Sequence, residues 1–198
     1  MLSVVIPTLN AAATLDACLA ALTPGRALGL VGEVLVADGG SADGTVARAK
    51  NLGARVISAP HGRGAQLAAG ADAAQGDWLL FLHADTCLGA GWEKAAAAFM
   101  GEPMNAAKAA AFRFALDDAS AAARRLERWV DWRCRALGLA YGDQGLLLAR
   151  AFYRRLGGYP PWPLMEDVDL VRRVGRGRLV LLKAAAFTSA VRWRRAGW

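Results

Sequence analysis

Residues 78–86 read WLLFLHADT, a run of five apolar residues that leads directly to His83 and the carboxylate of Asp85. A short and continuous apolar run is typical of a strand that is covered on both faces of a parallel sheet. Similar runs precede it at residues 2–6, 33–37 and 55–58, and helical patterns separate them. This alternation predicts a doubly wound α/β unit over residues 1–85.

The second half of the chain has a less regular pattern. We predict helices over residues 92–100, 120–137, 151–156 and 166–174, and strands over residues 109–116, 146–149 and 179–182. The stretch 157–164 holds two glycines and three prolines, which indicates a rigid and irregular loop. No repeat or linker interrupts the chain, so we expect one domain over residues 1–198.

Composition narrows the class of protein. Hydrophobic residues make up 55% of the 198, which excludes a disordered chain, and the net charge of +7 suits an anionic partner. The three cysteines, Cys18, Cys87 and Cys134, lie far apart and form no CxxC pair, which argues against a zinc site. Their odd number, without a signal peptide, predicts a reducing cytoplasm. The apolar runs also fall short of the roughly 18–20 residues that span a bilayer.

Polar residues follow each of the four predicted strands of the first half. In an open parallel sheet, ligands bind outside the carboxyl ends of the strands, so these residues should meet at one edge. They are Thr8 and Asn10, then Asp38 and Gly39, then Arg63 and Gly64, and finally His83 and Asp85. A set that is both acidic and basic suits a metal–diphosphate site.

Three of these residues have a specific chemical interpretation beside a plainer one. Asp85 can hold Mg²⁺ or Mn²⁺, which take few protein carboxylates plus substrate phosphates, or it can cap a turn. Asp38 can accept hydrogen bonds from a base or a ribose, or it can form an Asx-turn with its own backbone. Arg63, between two glycines, can approach a diphosphate closely, or it can be a solvated loop arginine.

Glu166 and Asp167 open the last predicted helix, directly after the proline-rich loop. Carboxylates are favoured at a helix N-terminus by the helix dipole, which is one sufficient explanation. However, apolar residues surround the pair, and partial desolvation raises the pKa of a carboxylate toward the range of a general base. We therefore expect this pair to be catalytic.

Four blocks of the sequence carry a family resemblance. SVVIPTLN at 3–10, VADGGSADGT at 36–45, FLHADT at 81–86 and PLMEDVDL at 163–170 resemble the motifs of inverting family 2 glycosyltransferases. Residues 141–170 more specifically resemble a small bacterial subgroup named for an association with arsenosugar biosynthesis. The resemblance implies the GT-A fold, a Rossmann-like three-layer α/β/α sandwich with a mostly parallel central sheet. Residues 1–90 would bind the nucleotide sugar and residues 91–198 the acceptor.

The resemblance also implies roles for single residues. Asp38 would hold the nucleotide base, with Thr8 beside the nucleotide and Arg63 near the donor diphosphate. Asp85 matches the last acid of the DXD motif, which binds the metal, while His83 stands where the first acid is usual. Asp167 matches the catalytic base, and Glu166 would help to shape the acceptor site. The implied reaction takes a sugar from a nucleotide sugar, with UDP as the default, to an acceptor hydroxyl.

Other interpretations of the sequence remain open. A sugar-phosphate nucleotidyltransferase also uses metal carboxylates, although it usually has a glycine-rich basic loop after the first strand, unlike residues 7–10. The basic charge suits a nucleic-acid-binding module, but the arginines are scattered without a recognition motif, so we expect no nucleic-acid partner. The segment VRWRRAGW at 191–198 and the helix at 120–137 offer basic, tryptophan-bearing surfaces for contact with the inner face of a membrane.

Overall fold

The computed structural model describes residues 1–162 and 164–190, and within these ranges it has one mixed sheet of eight strands. Seven of the strands are three to eight residues long, and the last has ten. They are β1 (Leu2–Thr8), β2 (Val31–Asp38), β3 (Arg55–Ser58), β4 (Trp78–Phe81), β5 (Thr86–Leu88), β6 (Ala109–Leu116), β7 (Leu146–Ala149) and β8 (Leu179–Thr188).

The strand order across the sheet is β3-β2-β1-β4-β7-β6-β8-β5. The first four strands in this order are parallel, as the sequence predicts for residues 1–85. β7 then runs antiparallel to both β4 and β6, whereas β8 is parallel to β6 and β5 is antiparallel to β8. The carboxyl ends of β1, β2 and β4 therefore share one edge with the loop that enters β7.

Helices cover both faces of the sheet and complete three layers. They are α1 (Leu15–Ala20), α2 (Thr23–Ala27), α3 (Thr45–Asn51), α4 (Arg63–Ala73), α5 (Trp92–Gly101), α6 (Ala121–Leu137), α7 (Arg150–Arg155) and α8 (Glu166–Val174). Within β1, Val4 and Ile6 belong to the core beneath α1, α3 and α5, and Val5 belongs to the core beneath α4, α7 and α8. Val4, Val5 and Ile6 are all fully buried, so the strand that the apolar run at residues 2–6 predicts is confirmed as covered on both faces. β3 lies at the edge of the sheet, and none of its four residues is fully buried.

Some predicted element bounds are wrong. Between β1 and β2, the short α1 is followed by α2, and Pro24 lies in the first turn of α2, where a missing N–H costs nothing. β5 was not predicted, and β8 continues to Thr188 instead of ending at residue 182, because β6 and β5 both pair with its second half. Pro103–Ala107 form a 3₁₀ helix between α5 and β6.

Two features that the sequence suggests as functional lie outside the described residues. One is Pro163 of the proline-rich loop, and the other is the basic segment at 191–198. Within the described ranges, no helix has both the length and the apolar character needed to cross a membrane.

Candidate active site

A cleft of about 460 Å³ opens beyond the carboxyl ends of β1 and β4. Five of the predicted donor-binding residues line it, namely Thr8, Asn10, Arg63, His83 and Asp85. The structure thus brings together side chains that lie up to 77 positions apart in the sequence, as the strand-end argument predicts.

Asp38 lies at the end of β2 and is buried against its own turn. Its Oδ1 accepts hydrogen bonds from the hydroxyls of Thr8 (2.9 Å) and Ser41 (2.5 Å). Its Oδ2 accepts from the backbone N–H groups of Gly40 (3.0 Å) and Ser41 (2.8 Å). Burial by itself raises the pKa of Asp38, but these hydrogen bonds outweigh it and hold the pKa below its ordinary value. The Asx-turn therefore forms, and the carboxylate organises the turn.

Asn10 joins the loops that follow β1 and β2. It has a left-handed backbone conformation with φ of 53°. Its N–H donates to the Ser41 hydroxyl (2.8 Å), and its side-chain oxygen accepts from the Ala42 N–H (2.9 Å). Asparagine tolerates this conformation better than most residues, which explains its presence at this position. The rim of the cleft is thereby cross-linked by hydrogen bonds.

Gln66 of α4 is a structural residue that sequence reasoning missed. It is buried, and its Nε2 donates to the carbonyl oxygens of Thr8 (2.5 Å) and Ala37 (3.1 Å). Gly39 lies against it, since a Cβ atom on Gly39 would be 2.9 Å from Nε2. Gln66 therefore fixes the ends of β1 and β2 relative to α4, and a lone glutamine in an alanine-rich helix gave no sign of this.

Arg63 and Glu166 connect the cleft to α8. The Arg63 Nε atom is 3.7 Å from Glu166 Oε1, and the Arg63 side chain is partly exposed whereas Glu166 is completely buried. Neither carboxylate oxygen of Glu166 has a hydrogen-bond partner among the described residues. Burial raises the pKa of Glu166, and the nearby Arg63 charge reduces that rise. A buried carboxylate with free acceptor positions is unusual and costly, so Glu166 is a candidate functional residue.

Gly64 has a packing role. A Cβ atom there would be 2.1 Å from the Pro160 carbonyl oxygen and 2.7 Å from that of Trp162. The Gly64 N–H also donates to the Trp162 carbonyl oxygen (3.2 Å). The glycine thus lets the first turn of α4 contact the backbone of the proline-rich loop, which holds this loop beside the cleft.

The predicted metal segment and the predicted base meet at Gly142. The Gly142 N–H donates to Asp167 Oδ2 (2.7 Å). A Cβ atom on Gly142 would be 2.4 Å from His83 Nε2 and 3.2 Å from Asp167 Oδ2. Burial and then the charge of Arg63 lower the pKa of His83 to about 4, so the imidazole is neutral at pH 7 and leaves the nearby acids unneutralised.

Asp143, which follows Gly142, is an acid that the sequence analysis did not single out. Its Oδ1 is buried and has no hydrogen-bond partner among the described residues. Burial raises its pKa to about 6, the charge of Arg133 opposes the rise, and the charges of Asp167 and Asp85 add to it. Asp143 therefore lies close enough to both predicted acids to interact with them. The motif YGDQG at 141–145 was the available signal, although nothing in it distinguishes Asp143 from an ordinary turn residue.

Asp85 is exposed at the cleft and makes no hydrogen bond or ion pair with any residue in the ranges 1–162 and 164–190. The same ranges contain no cluster of three or more His, Cys, Asp or Glu side chains that could hold a metal ion by themselves. A divalent cation here would thus need oxygen ligands from a substrate and from water, which is how Mg²⁺ is usually bound beside phosphates.

Comparison with protein families identifies relatives of this chain. The family described as Glycosyl transferase family 2 matches residues 3–146. The PGL/p-HBAD biosynthesis glycosyltransferase of Mycobacterium tuberculosis is 41% identical over 110 residues, which cover 52% of this chain and 42% of that protein. Glucosyl-3-phosphoglycerate synthase of the same species is 37% identical over 93 residues, which cover 42% of this chain and 28% of that protein. The matched region therefore spans less than half the length of these curated relatives.

Solved structures have the same fold. The crystal structure of the M. tuberculosis glucosyl-3-phosphoglycerate synthase with Mn²⁺, UDP and glucosyl-3-phosphoglycerate has a TM-score of 0.64 at 22% identity. It covers 96% of this chain and 70% of that one. The crystal structure of TarS from S. aureus has a TM-score of 0.71 at 17% identity, over 95% of this chain and 36% of that one. At such identities the likeness concerns the fold alone, and it confirms the predicted GT-A architecture.

Proposed function

Because the chain belongs to glycosyl transferase family 2, we propose that it transfers a sugar from a nucleotide sugar, most simply a UDP-sugar, to an acceptor hydroxyl with inversion at the anomeric carbon. A divalent cation, Mg²⁺ or Mn²⁺, assists the departure of the diphosphate, and Asp167 is the general base. The complexes of glucosyl-3-phosphoglycerate synthase with UDP and Mn²⁺ or Mg²⁺ support the choice of donor and cation.

One observation carries this proposal. The end of β4 and the start of α8 meet on either side of Gly142, so that His83 and Asp167 both lie against the same glycine. A one-step displacement needs the leaving diphosphate and the base on opposite sides of the reacting carbon. The proximity of the β4 end to the start of α8 supports a site in which the first segment would hold the diphosphate and the second would hold the base. Residues of the N-terminal half would bind the donor and residues of the C-terminal half the acceptor, within one domain.

The donor would lie across the strand ends. Thr8 and Asn10 line the cleft wall, and the Arg63 guanidinium is placed to pair with a phosphate because its side chain is partly exposed there. Three of the four hydrogen bonds to Asp38 come from Gly40 and Ser41 of its own turn, and the fourth comes from the Thr8 hydroxyl at the end of β1. We therefore propose that Asp38 acts on the base by fixing the shape of this turn. Where the nucleotide displaces Ser41, the freed carboxylate oxygen of Asp38 would bind the base directly.

Asp85 fits a divalent cation, because its carboxylate is exposed at the cleft and free of protein partners. A bound cation would supply Lewis acid stabilisation of the charge that develops on the leaving diphosphate. His83, neutral at pH 7, offers an imidazole nitrogen beside Asp85 without adding a second negative charge. Arg63 complements the same diphosphate charge from the other side of the cleft.

The base would be Asp167. Its Oδ2 is oriented by the Gly142 N–H and its Oδ1 by the Val168 N–H at 2.7 Å. Removal of the proton from the acceptor hydroxyl by such a carboxylate typically contributes about 10²–10⁴-fold in rate. Glu166, buried and without hydrogen-bond partners among the described residues, would accept a hydrogen bond from a hydroxyl of the acceptor or of the sugar.

The acceptor side includes Asp143 and an apolar rim. Trp162, Leu164 and Met165 precede the acidic pair, and each is at least half exposed. Exposed apolar side chains beside a site that handles hydroxyl groups indicate an acceptor with an apolar portion. The likeness of residues 141–170 to the arsenosugar-associated subgroup concerns this same region, and we propose membership of that subgroup on the sequence alone.

Binding and turnover with UDP-glucose and Mn²⁺ test this function. We expect Asp85→Asn to lose the Mn²⁺-dependent rise in melting temperature with UDP, while Asp77→Asn, at the opposite end of β4, keeps it. We expect Asp167→Asn to keep this rise and to lose most of the release of UDP from UDP-glucose, while Asp169→Asn, two residues along α8, retains turnover. Turnover of nucleoside triphosphates instead of nucleotide sugars would refute the proposal.

A further inference from the structure

The outward side of α6 combines tryptophan with arginine. At 100° per residue, Arg125, Arg128, Trp132 and Arg135 fall within an arc of about 80° of the helix surface, and Trp129 lies about 40° beyond Arg125. We call these five residues the α6 face. The opposite side of the helix is buried, where Ala123, Val130 and Cys134 pack against β6. The α6 face therefore points away from the protein along a helix of 17 residues.

The two tryptophans are unusually accessible. Trp132 is 57% exposed and Trp129 is 53% exposed, whereas Trp92 of α5 is almost completely buried. The only ring contact of Trp129 among the described residues is with the Arg133 guanidinium, 5.4 Å from the ring centroid. An exposed tryptophan at the centre of a polar helix face contributes little to the fold, so its burial is available to a partner.

The arginines beside them are largely free. Arg125 and Arg128 make no hydrogen bond or ion pair with residues 1–162 or 164–190, while Arg135 is paired with Asp131 at 2.7 Å. A cavity of about 640 Å³ runs along this side of the helix, and Arg113 of β6 joins Arg128 and Trp132 in its lining. Arg113 is likewise exposed and unpaired within the described ranges. Glu127 and Asp131 line the same cavity, but their charges are paired with Arg124 and Arg135. The guanidinium groups of Arg113 and Arg128 therefore remain for phosphate oxygens, which arginine binds in a bidentate manner.

The combination of features favours a lipid surface. Tryptophan prefers the boundary between headgroups and acyl chains, because its ring is apolar and its N–H is polar. Arginine is attracted to the negative charge of anionic headgroups. The α6 face presents both groups on a rigid helix that lies flat along the surface, with the cavity beside it to accept a headgroup phosphate.

We propose that the α6 face docks this protein on an anionic phospholipid surface, with Trp129 and Trp132 in the headgroup boundary and Arg113, Arg125 and Arg128 on lipid phosphates. α6 leads directly to the candidate active site, since Arg133 stacks on Tyr141 at 3.6 Å and Tyr141 precedes Gly142 and Asp143. Docking would thus hold the acceptor side of the cleft close to the membrane. Only this consequence rests on the proposed function, because the docking surface itself is independent of it.

Flotation of the full chain with vesicles tests the docking. The probes are vesicles of phosphatidylcholine alone and vesicles that also contain phosphatidylglycerol. We expect binding to the anionic vesicles, weakening as salt is added, and little binding to the neutral ones. Arg125→Gln/Arg128→Gln should lower the apparent affinity by about tenfold or more, and Trp129→Ala/Trp132→Ala should do so as well. The matched control is Arg154→Gln/Arg172→Gln, which removes the same charge from exposed positions on α7 and α8 and should bind as the parent does.

The melting temperature and its rise with UDP and Mn²⁺ are measured for every variant, so that loss of docking is separated from misfolding and from failure of the proposed function. Absence of binding to anionic vesicles would overturn the proposal, and so would equal losses in the control variant. Binding to single-stranded RNA that depends on the two tryptophans, without binding to vesicles, would overturn it as well and would indicate a nucleic-acid partner instead.

Discussion

Replacing Asp143 with asparagine should stabilise the protein at neutral pH. The Asp143 carboxylate is largely buried, one of its oxygens has no hydrogen-bond partner among the described residues, and the acids Asp85 and Asp167 are near it. The ionised form is therefore disfavoured in the folded protein, and an amide of the same shape removes the charge without leaving a cavity.

The magnitude follows from the pKa. A rise from 3.8 to about 6 corresponds to at most about 3 kcal/mol, and the part of Asp143 that contacts solvent reduces this figure. Because the pKa of Asp143 is higher in the folded protein than in the unfolded chain, the carboxyl group opposes folding only at a pH where the unfolded chain has lost the carboxyl proton. The cost is absent below about pH 4, grows as the pH rises toward 6, and is complete above it.

Urea denaturation of the parent and of Asp143→Asn, from pH 4 to pH 8 with a chelator present, measures this difference. We expect the two proteins to have similar stability at pH 4 and the variant to be more stable by about 1–3 kcal/mol at pH 8. Asp72→Asn, on the exposed side of α4, is the matched control and should show no such pH-dependent gain. A variant that is equally or less stable than the parent at pH 8 would refute the reasoning about the buried charge. Loss of turnover in the same stabilised variant would indicate that this charge is retained for function.

Three further changes probe other contacts. Gly64→Ala places a Cβ atom against the backbone of the proline-rich loop and should cost about 1–3 kcal/mol in urea denaturation, whereas Gly101→Ala, with open space around it, should cost almost nothing. Gly142→Ala pushes His83 away from its position and should lower UDP-glucose turnover by about 10²-fold. The control Gly177→Ala adds a Cβ atom in open space and should leave turnover unchanged. His83→Gln should reduce the loss of stability on acidification. The His83 pKa is lowered to about 4, so the imidazole stays neutral in the folded protein, while the unfolded chain takes up a proton as the pH falls below 6.5. An unchanged acid profile in this last variant would contradict the neutral imidazole.

The elements that the sequence predicted best are those whose own residues determine them. The strands at 55–58, 109–116 and 146–149 and the helix at 166–174 have the predicted bounds, because short apolar runs and amphipathic patterns are local signals. β5 and the second half of β8 could not be predicted in this way. β5 is a strand because it pairs with β8, and the second half of β8 is a strand because it pairs with both β5 and β6. Pairing partners that are about 70–100 residues apart in the sequence leave no local pattern.

The candidate site likewise has residues that the sequence could predict and residues that it could not. The convergence of Thr8, Arg63 and Asp85 follows from the rule that strand ends share an edge, and the structure confirms that they line one cleft. The roles of Gln66, Gly142 and Asp143 depend on burial and on contacts across the fold. The sequence does not show that a carboxylate lacks a partner, or that a glycine separates a histidine from an acid. These features arise only when the chain is folded.

The antiparallel pairing of β7 with β4 has a consequence for biosynthesis. Until the ribosome has released residue 149, the nascent chain holds β4 as an open edge made of Leu79, Leu80 and Phe81, a surface on which other chains can aggregate. The same late strand carries Gly142 and Asp143 into position beside His83. Pairing of β7 with β4 therefore covers the exposed strand edge and completes the candidate site in the same step. A fragment that stops at residue 90 should be recovered in inclusion bodies and should lack any trace of turnover.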